Sequence, residues 1–254
     1  MLAIERRNEI LEKLQADRRV VVSELSQIYD VSEEMIRRDL DKLEQQGKLR
    51  RSHGGAVSVK EPQAETPYSE REIIHQKEKK IIAAAAVRLI EPYDRIALDA
   101  SSSAWYMASI LPDIPLTVVT NSIKVALELS SKEKVQVISS GGQLAARSLS
   151  YVGPMAERSL EPYYVDKAFI SCKGVHLERG ISESNELQAM VKQRMIKQSD
   201  RVYLLSDNSK IGIQAFTHVA GWEDIQVVIT DDGIRPEHTD ALRSREIEVM
   251  IASE

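Results

Sequence analysis

Cysteine is nearly absent from this chain. Cys172 is the only one in 254 residues, so an internal disulfide framework is excluded and the usage fits a reducing compartment. A lone thiol at a strand end admits a nucleophile, but a packed spectator is the commoner role by about five to one. Long apolar runs are missing too. The longest aliphatic run, residues 81–87, falls far short of the roughly 20 residues that cross a bilayer, and charge begins at Glu5, so a cytoplasmic protein without a membrane segment is expected. The five histidines, at 53, 75, 176, 218 and 238, show no paired spacing, and neither a metal nor a cofactor is expected. No solenoid-type repeat or low-complexity tract interrupts a composition, 43% apolar and 29% charged, that is ordinary for a globular protein. The length suits a small module plus one domain of usual size.

The sharpest pattern lies in residues 20–57, VVVSELSQIYDVSEEMIRRDLDKLEQQGKLRRSHGGAV. Ser23 is placed to cap a short helix through Tyr29 with Leu25 and Ile28 as its apolar face; Asp30 and Val31 make a turn, and Ser32 opens a second helix. Glu33 and Glu34 in the first turn suit the positive end of the helix dipole. In this second helix Met35, Leu40 and Leu43 fall on one side with Ile36 beside them, leaving Arg37, Arg38, Asp41 and Lys42 on the open flank. An apolar back and cations facing outward is the arrangement of a recognition helix for double-stranded DNA. Gly47 stops the helix, and residues 48–58 are expected to fold back as a two-stranded wing with Gly54 and Gly55 at its tip. Periodicity alone also admits an ordinary helical hairpin with a solvated charged face, at about a third of the weight; charge placement separates the two. Residues 47–60 hold four cations, Lys48, Arg50, Arg51 and Lys60, and no carboxylate, as a wing lying along phosphates requires. Residues 1–60 carry 12 Lys and Arg against 11 Asp and Glu, so of the chain's 34 and 39 the remainder holds 22 against 28, and the cationic surface is local. Candidate DNA contacts are Ser32, Arg37, Arg38 and Lys42 from the helix, with Lys48, Arg50, Arg51 and His53 from the wing.

The stretch 60–71, KEPQAETPYSER, has two prolines and no apolar period, and reads as a linker. The expected division is a DNA-binding domain at 1–57, a linker at 58–75 and a second domain at 76–254. That domain opens with an amphipathic helix over 77–90, its buried face drawn from Ile81, Ala84, Ala85 and Leu89. Short β-branched runs then recur at 96–98, 116–120, 135–139, 168–171, 202–206, 227–230 and 247–251, with helical segments between. Strands of this kind are buried on both faces of a mostly parallel sheet, so the fold class is α/β. Ligands of such sheets bind beyond the carboxyl ends of the strands. Five successive strand ends carry hydroxyls, amides, glycines or a lysine: Asp99, Ser101, Ser102 and Ser103; Thr120 and Asn121; Gly141 and Gly142; Lys173 and Gly174; and Lys210. Such residues cap helices and make turns anywhere, but two lysines directly after strands on one edge add to free helix N–H groups a site for phosphate or another small anion. Trp105 and Tyr106 admit stacking on a sugar, with core packing the commoner role.

These motifs resemble the DeoR family of bacterial transcriptional regulators. The similar elements are Arg7, Ile10 and Leu14; V-S-x-x-x-I-R-R-D-L at 31–40; R-R-x-H-G-G-A at 50–56; and, beyond the linker, D-A-S-S-S at 99–103, T-N-S at 120–122, G-G at 141–142, G-I-S at 180–182 with N-E at 185–186, and D-N-S-K at 207–210. The chain departs from the family pattern at Met35, where Thr is usual, and at Ser101, where Gly is common. The resemblance implies a winged helix-turn-helix followed by a sensor domain that shares its fold with ribose-5-phosphate isomerase and coenzyme A transferases. It implies a repressor of a sugar-catabolic operon, a homodimer or homotetramer, controlled by a phosphorylated sugar. The rival from another class is a sugar-phosphate isomerase or transferase. The isomerase requires an Asp-Glu pair after the strand that here ends in Ser171-Cys172-Lys173, and no such pair is present; Glu183 and Glu186 are read as the acidic start of a helix running through Met195.

Overall fold

The structure, a computed structural model, describes residues 3–17, 19–46, 48–52, 54–58 and 65–253. The chain divides into two compact units, Met1–Glu61 and Pro62–Glu254. In the first, helix α1 (Ala3–Asp17) is followed by strand β1 (Arg19–Val21), helices α2 (Val22–Tyr29) and α3 (Glu33–Gln45), and strands β2 (Leu49–Ser52) and β3 (Gly55–Ser58). Ile10 and Leu14 of α1 meet Leu25 of α2 and Ile36, Leu40 and Leu43 of α3 in one core. Ser32 caps α3 by accepting from the Met35 N–H at 3.3 Å, and Asp30, in the left-handed region at φ 49°, ends α2. Three expectations need correction. Ser23 lies inside the first turn of α2; the residue at the cap position is Val21, and the Gly54 carbonyl accepts from the Val22 N–H at 2.8 Å. Met35 is 45% exposed, because the buried stripe of α3 runs through Ile36, Asp39, Leu40 and Leu43 instead. The wing has a third strand, in the antiparallel order β1-β3-β2, with Gly55 so close to β1 that a Cβ would lie 2.0 Å from the Val20 oxygen. The expected helix stop at Gly47 and the wing residue His53 lie outside the described residues.

Asp39 is a charge on an apolar stripe, and α1 supplies its partner. Arg6 Nε donates to Asp39 Oδ2 at 2.7 Å and its Nη2 lies 2.7 Å from the same oxygen, with both residues buried, and Arg7 adds a longer contact at 3.7 Å. A buried pair of this kind fixes how α1 sits on α3, since either partner alone would be an uncompensated charge.

The second unit begins with α4 (Tyr68–Ile73) and α5 (Gln76–Val87). It continues through β4 (Arg95–Leu98), α6 (Ser102–Ile110), β5 (Leu116–Thr120), α7 (Ile123–Leu129) and β6 (Val135–Ser139). After a short antiparallel hairpin, β7 (Gln143–Ala145) and β8 (Ser150–Val152), come α8 (Pro154–Leu160) and β9 (Val165–Ile170). Next are β10 (Gly174–His176), β11 (Gly180–Glu183), α9 (Glu186–Lys197), β12 (Ser199–Leu205), β13 (Thr217–Ala220), β14 (Val227–Asp231), α10 (Pro236–Arg243) and β15 (Glu248–Ala252). All seven expected strands form one sheet, parallel throughout, in the order β15-β14-β12-β9-β4-β5-β6. Side chains alternate between its faces: Ile96, Leu98, Val118, Phe169 and Tyr203 pack with α5, α6 and α7, while Ala97, Val119, Ala168 and Leu204 pack with α8, α9 and α10. Strands β10, β11 and β13 make a small antiparallel sheet of their own.

Two readings of this unit also change. In α5 the buried residues are Lys79, Ile82, Ala83 and Ala86, not Ile81, Ala84, Ala85 and Leu89, which are half-buried; a helix apolar on nearly every side offers periodicity little to discriminate. Of the linker expected at 58–75, Ser58 ends β3, residues 59–64 lie outside the described residues, and the remainder runs into and through α4. There Tyr68 is 2% exposed, with Arg71 and Lys124 each 5.5 Å from its ring centre.

Asp39→Ala is expected to destabilise the first unit by about 3–5 kcal/mol, because Arg6 is left buried and unpaired. Hydrogen exchange in the full chain should show protection lost across α1 and α3 and kept in the parallel sheet. Arg6→Met combined with Asp39→Leu should restore most of it; a loss under about 1 kcal/mol in the single variant would reduce the pair to an ordinary surface bridge.

Candidate functional site

The outward flank of α3 carries Arg37, Arg38 and Lys42, all exposed, with Ser32 exposed at its start. Neither arginine is loose. Arg37 pairs with Glu33 at 2.5 Å, and Arg38 with Glu34 at 3.5 Å, both one turn toward the helix start. On the wing, Lys48 is exposed, whereas Arg51 turns back to α3: its guanidinium lies 3.4 Å from Asp41 and its N–H donates to Glu44 at 2.7 Å. The side chains of Arg50 and His53 are outside the described residues. Among the described side chains, α3 presents Arg37, Arg38 and Lys42 and the wing presents Lys48, with Arg51 bracing the wing against α3.

In the second unit the strand order creates the site. From β4 the chain moves to β5 and β6 on one side, then returns to place β9, β12 and β14 on the other. The loops after β4 and β9 therefore diverge and open a crevice at their carboxyl ends. A cavity of about 220 Å³ lies there, walled by Ser101 and Ser102 after β4, Ser171 to Lys173 after β9, and Asp207, Ser209 and Lys210 after β12. Ser101 caps α6, accepting from the Ala104 N–H at 3.0 Å, so the positive end of that helix is at the wall. The other lining residues come from α4 and α5 with the segment leading into them (Glu65, Thr66, Arg71, Ile74, His75, Lys79), and from Glu183, Ser184, Lys192 and Ile213.

Five cations line the cavity (Arg71, Lys79, Lys173, Lys192, Lys210) against three carboxylates (Glu65, Glu183, Asp207). Lys192 is neutralised: its ammonium reaches Ser171 O at 2.6 Å, Glu183 Oε1 at 2.6 Å and Asp99 Oδ2 at 2.9 Å. Burial works against that charge, but Asp99 and Glu183 outweigh it and hold the lysine protonated beyond its usual range. Lys79 is opposite in character. Burial, and after it the neighbouring charge of Lys210, bring its pKa down from 10.5 to about 8, while Nζ donates to the carbonyls of Arg71 and Ile74, both at 2.5 Å. Lys210 donates to Ser171 Oγ at 2.8 Å and lies 3.5 Å from Asp207. Burial would raise the Asp207 carboxyl, but Lys210 and the Ser209 hydroxyl hold it below the ordinary range, and its Oδ2 is buried with no hydrogen-bond partner among the described residues. Burial pushes the Cys172 thiol up to about 12.

Of the effector candidates, Ser101, Ser102, Lys173 and Lys210 meet at this cavity, and Asp99 lies directly behind Lys192. The others do not line it. Ser103 is buried in the first turn of α6. The Thr120 hydroxyl donates to Leu98 O at 2.6 Å, and Asn121 Nδ2 to Tyr151 O at 2.9 Å. Gly142, at φ +113°, follows β6 in a place where a Cβ would lie 3.0 Å from Ala156, and Gly141 precedes it at φ +60°. Gly174 is packed against Ile213. These loops follow β5 and β6, one and two strands beyond the switch point, or lie within β10. Arg71, Lys79 and Lys192 carry no such signal in the sequence: the first reads as linker, the others as helix surface. Glu183 is in β11, not at a helix start, and it is Glu186 that opens α9. No group of His, Cys, Asp and Glu among the described residues is arranged to hold a metal, and no helix among them is long and apolar enough to cross a membrane.

Residues 6–62 match the DeoR-like helix-turn-helix domain, and residues 74–232 the DeoR C terminal sensor domain. The uncharacterized HTH-type transcriptional regulator YulB of Bacillus subtilis is 52% identical over 98% of this chain and 96% of its own length. An L-fucose operon activator of Haemophilus influenzae is 39% identical (87% and 89% covered), and a putative aga operon transcriptional repressor of Escherichia coli O157:H7 is 32% identical (98% and 94%). Among solved structures, ribose 5-phosphate isomerase A of Methanocaldococcus jannaschii superposes over 54% of each chain with a TM-score of 0.41 at 16% identity.

Two outcomes follow from this geometry. Replacing Glu33 and Glu34 together by Gln removes two charges that compete with phosphate for Arg37 and Arg38, so affinity for duplex DNA at low salt should rise roughly two- to fivefold. Fluorescence anisotropy measures this; weaker binding would show that the acids hold the arginines in the pose DNA needs. For Lys79, the unfolded chain binds the proton up to pH 10.5 and the folded chain only to about 8. Stability contributed by this group therefore rises with pH across that window. The melting temperature of the wild type relative to Lys79→Met should climb between pH 8 and 10.5, and a flat difference would place the shift elsewhere.

Proposed function

The chain belongs to the DeoR family of transcriptional regulators, with a DNA-binding unit ahead of a sensor domain, and from that footing we propose that it represses a sugar-catabolic operon under control of a phosphorylated sugar bound in the switch-point cavity. The observation that carries this reading is the mixed character of the cavity wall. An excess of cations, with a helix start beside them, suits a phosphate. The carboxylates suit hydroxyl donors: Asp207 presents a buried oxygen that accepts no hydrogen bond among the described residues, and a sugar supplies several O–H groups. One relative is named an L-fucose operon activator and another a putative aga operon transcriptional repressor, so control of an operon is common to both names while its sign differs.

The DNA-contacting face is α3, with Arg37, Arg38 and Lys42 reaching the major groove and Ser32 at the helix start; Lys48, Arg50 and His53 of the wing follow the backbone. A single helix-turn-helix makes few phosphate contacts and operators are commonly two-fold related, which supports a homodimer or homotetramer acting in the cytoplasm. Effector contacts are Lys210, Lys173, Ser101 and Ser102, with Asp99 holding the wall in place.

Titration calorimetry with a panel of sugar phosphates, paired with an operator gel shift, tests the reading. Lys210→Met should lower affinity for the best binder by about ten- to a hundredfold, the worth of one charge-assisted bond to phosphate. Operator binding without effector should stay within error, and log affinity for the operator should fall linearly with log salt. Unchanged ligand affinity in this variant would move the pocket elsewhere; lost operator binding would give Lys210 a role in the fold.

A further inference from the structure

Part of the cavity wall is built by chain that precedes the sheet. Residues 65–75, which follow the DNA-binding unit in sequence, contribute Glu65, Thr66, Arg71, Ile74 and His75 to the lining. Little apolar surface fastens this strap. Tyr68 is buried, but Ile73 is 70% exposed and Ile74 47%. Polar bonds do most of the holding, and two of the groups that make them are cavity residues: Ser102 Oγ donates to Arg71 O at 3.1 Å, and Lys79 Nζ donates to Arg71 O and Ile74 O. Elsewhere Tyr106 Oη donates to Glu72 O at 2.9 Å, and Arg147 O accepts from the Tyr68 N–H at 2.7 Å. At the joint with α5, His75 sits at φ 52°, a left-handed conformation uncommon outside glycine and a natural pivot.

The Arg71 side chain differs from its carbonyl. Nε and Nη2 are buried and have no hydrogen-bond acceptor among the described residues; the nearest carboxylate, Glu65, is 3.9 Å from Nη2. Unsatisfied buried donors are costly, most of all on a charged group. The edge formed by Nε and Nη2 matches two oxygens of a phosphate monoester in a planar fork that no lysine provides. A ligand shifts a conformational equilibrium only through contacts that differ between the two states.

On the reading of the cavity as a sugar-phosphate site, we infer that Arg71 grips the effector's phosphate through Nε and Nη2, and that this grip repositions the strap and so transmits occupancy to the DNA-binding unit. Lys79 and Ser102 take part because they hold the strap now: a phosphate within their reach competes with the Arg71 and Ile74 carbonyls for the same donors. Binding thereby exchanges one set of strap bonds for another.

The experiment uses the full chain with four probes: inorganic phosphate, glycerol 3-phosphate, ribose 5-phosphate and fructose 6-phosphate. Calorimetry identifies the best binder, and hydrogen exchange follows residues 65–75 with and without it. Exchange in this segment should change on binding. Arg71→Gln should weaken the probe by about ten- to a hundredfold and abolish the exchange response, with Arg71→Lys in between, because it keeps the charge and loses the fork. Inserting Gly-Ser-Gly-Ser between Pro62 and Gln63 should leave probe affinity unchanged and remove the effect of the probe on operator binding. If no probe binds, the sugar-phosphate reading falls and this inference with it. If a probe binds the wild type and Arg71→Gln equally, the reading stands and the grip of Arg71 is refuted. An operator response that survives the insertion refutes the strap as transmitter. A thermal melt of each variant keeps misfolding from passing as lost binding.

Discussion

The sensor domain depends on one buried ammonium group. Lys192 joins the loop after β4, through Asp99, to the loop after β9, through the Ser171 carbonyl, and to β11 through Glu183. Those first two loops part at the switch point of the sheet, where no backbone ladder continues to hold them. Asp99 extends the link by accepting from the N–H groups of Ser101 and Ser171, at 3.1 and 3.0 Å. A crevice that the strand order opens is thereby fixed in width by charge. Two carboxylates on one ammonium also leave Lys210, Lys173 and Arg71 as the cations with capacity for something other than the fold.

Much of this was legible in the residues. Each strand of the parallel sheet announced itself as a short β-branched run, because strands covered on both faces have no polar side to break the run. The hairpin β7 and β8 and the small sheet of β10, β11 and β13 gave no comparable run; all five strands are three or four residues long and none belongs to the parallel sheet. The cavity was half legible for a topological reason. Any strand end rich in Ser, Gly and Lys looks like a ligand loop, but only order in space tells that Lys173 and Lys210 flank the crevice while Asn121 and Gly141 follow strands beyond it. Arg71 was hidden by its setting in a proline-bearing, polar stretch, and Lys192 by position on a helix whose outward face also carries charge. Arg6 and Asp39, 33 residues apart, give no local signal of the bond that joins them.

In the DNA-binding unit, charge is arranged for restraint. Helix α3 is not a bare row of cations, since Glu33 and Glu34 sit one turn before Arg37 and Arg38 and pair with them. Arginines already paired gain less from an arbitrary stretch of phosphate than free ones would, so such a helix favours sites where shape and base edges repay the exchange. Arg51, paired with Asp41, secures the wing against that same helix, and Gly55 lets it pack close to β1.

Cys172 stands in the wall of the cavity beside Lys173, yet it is buried. Burial keeps it from ionising, with a pKa near 12, and only the thiolate is an effective nucleophile. Ionisation of the chain's one sulfhydryl is thus disfavoured near neutral pH, and the thiol serves the cavity wall by packing.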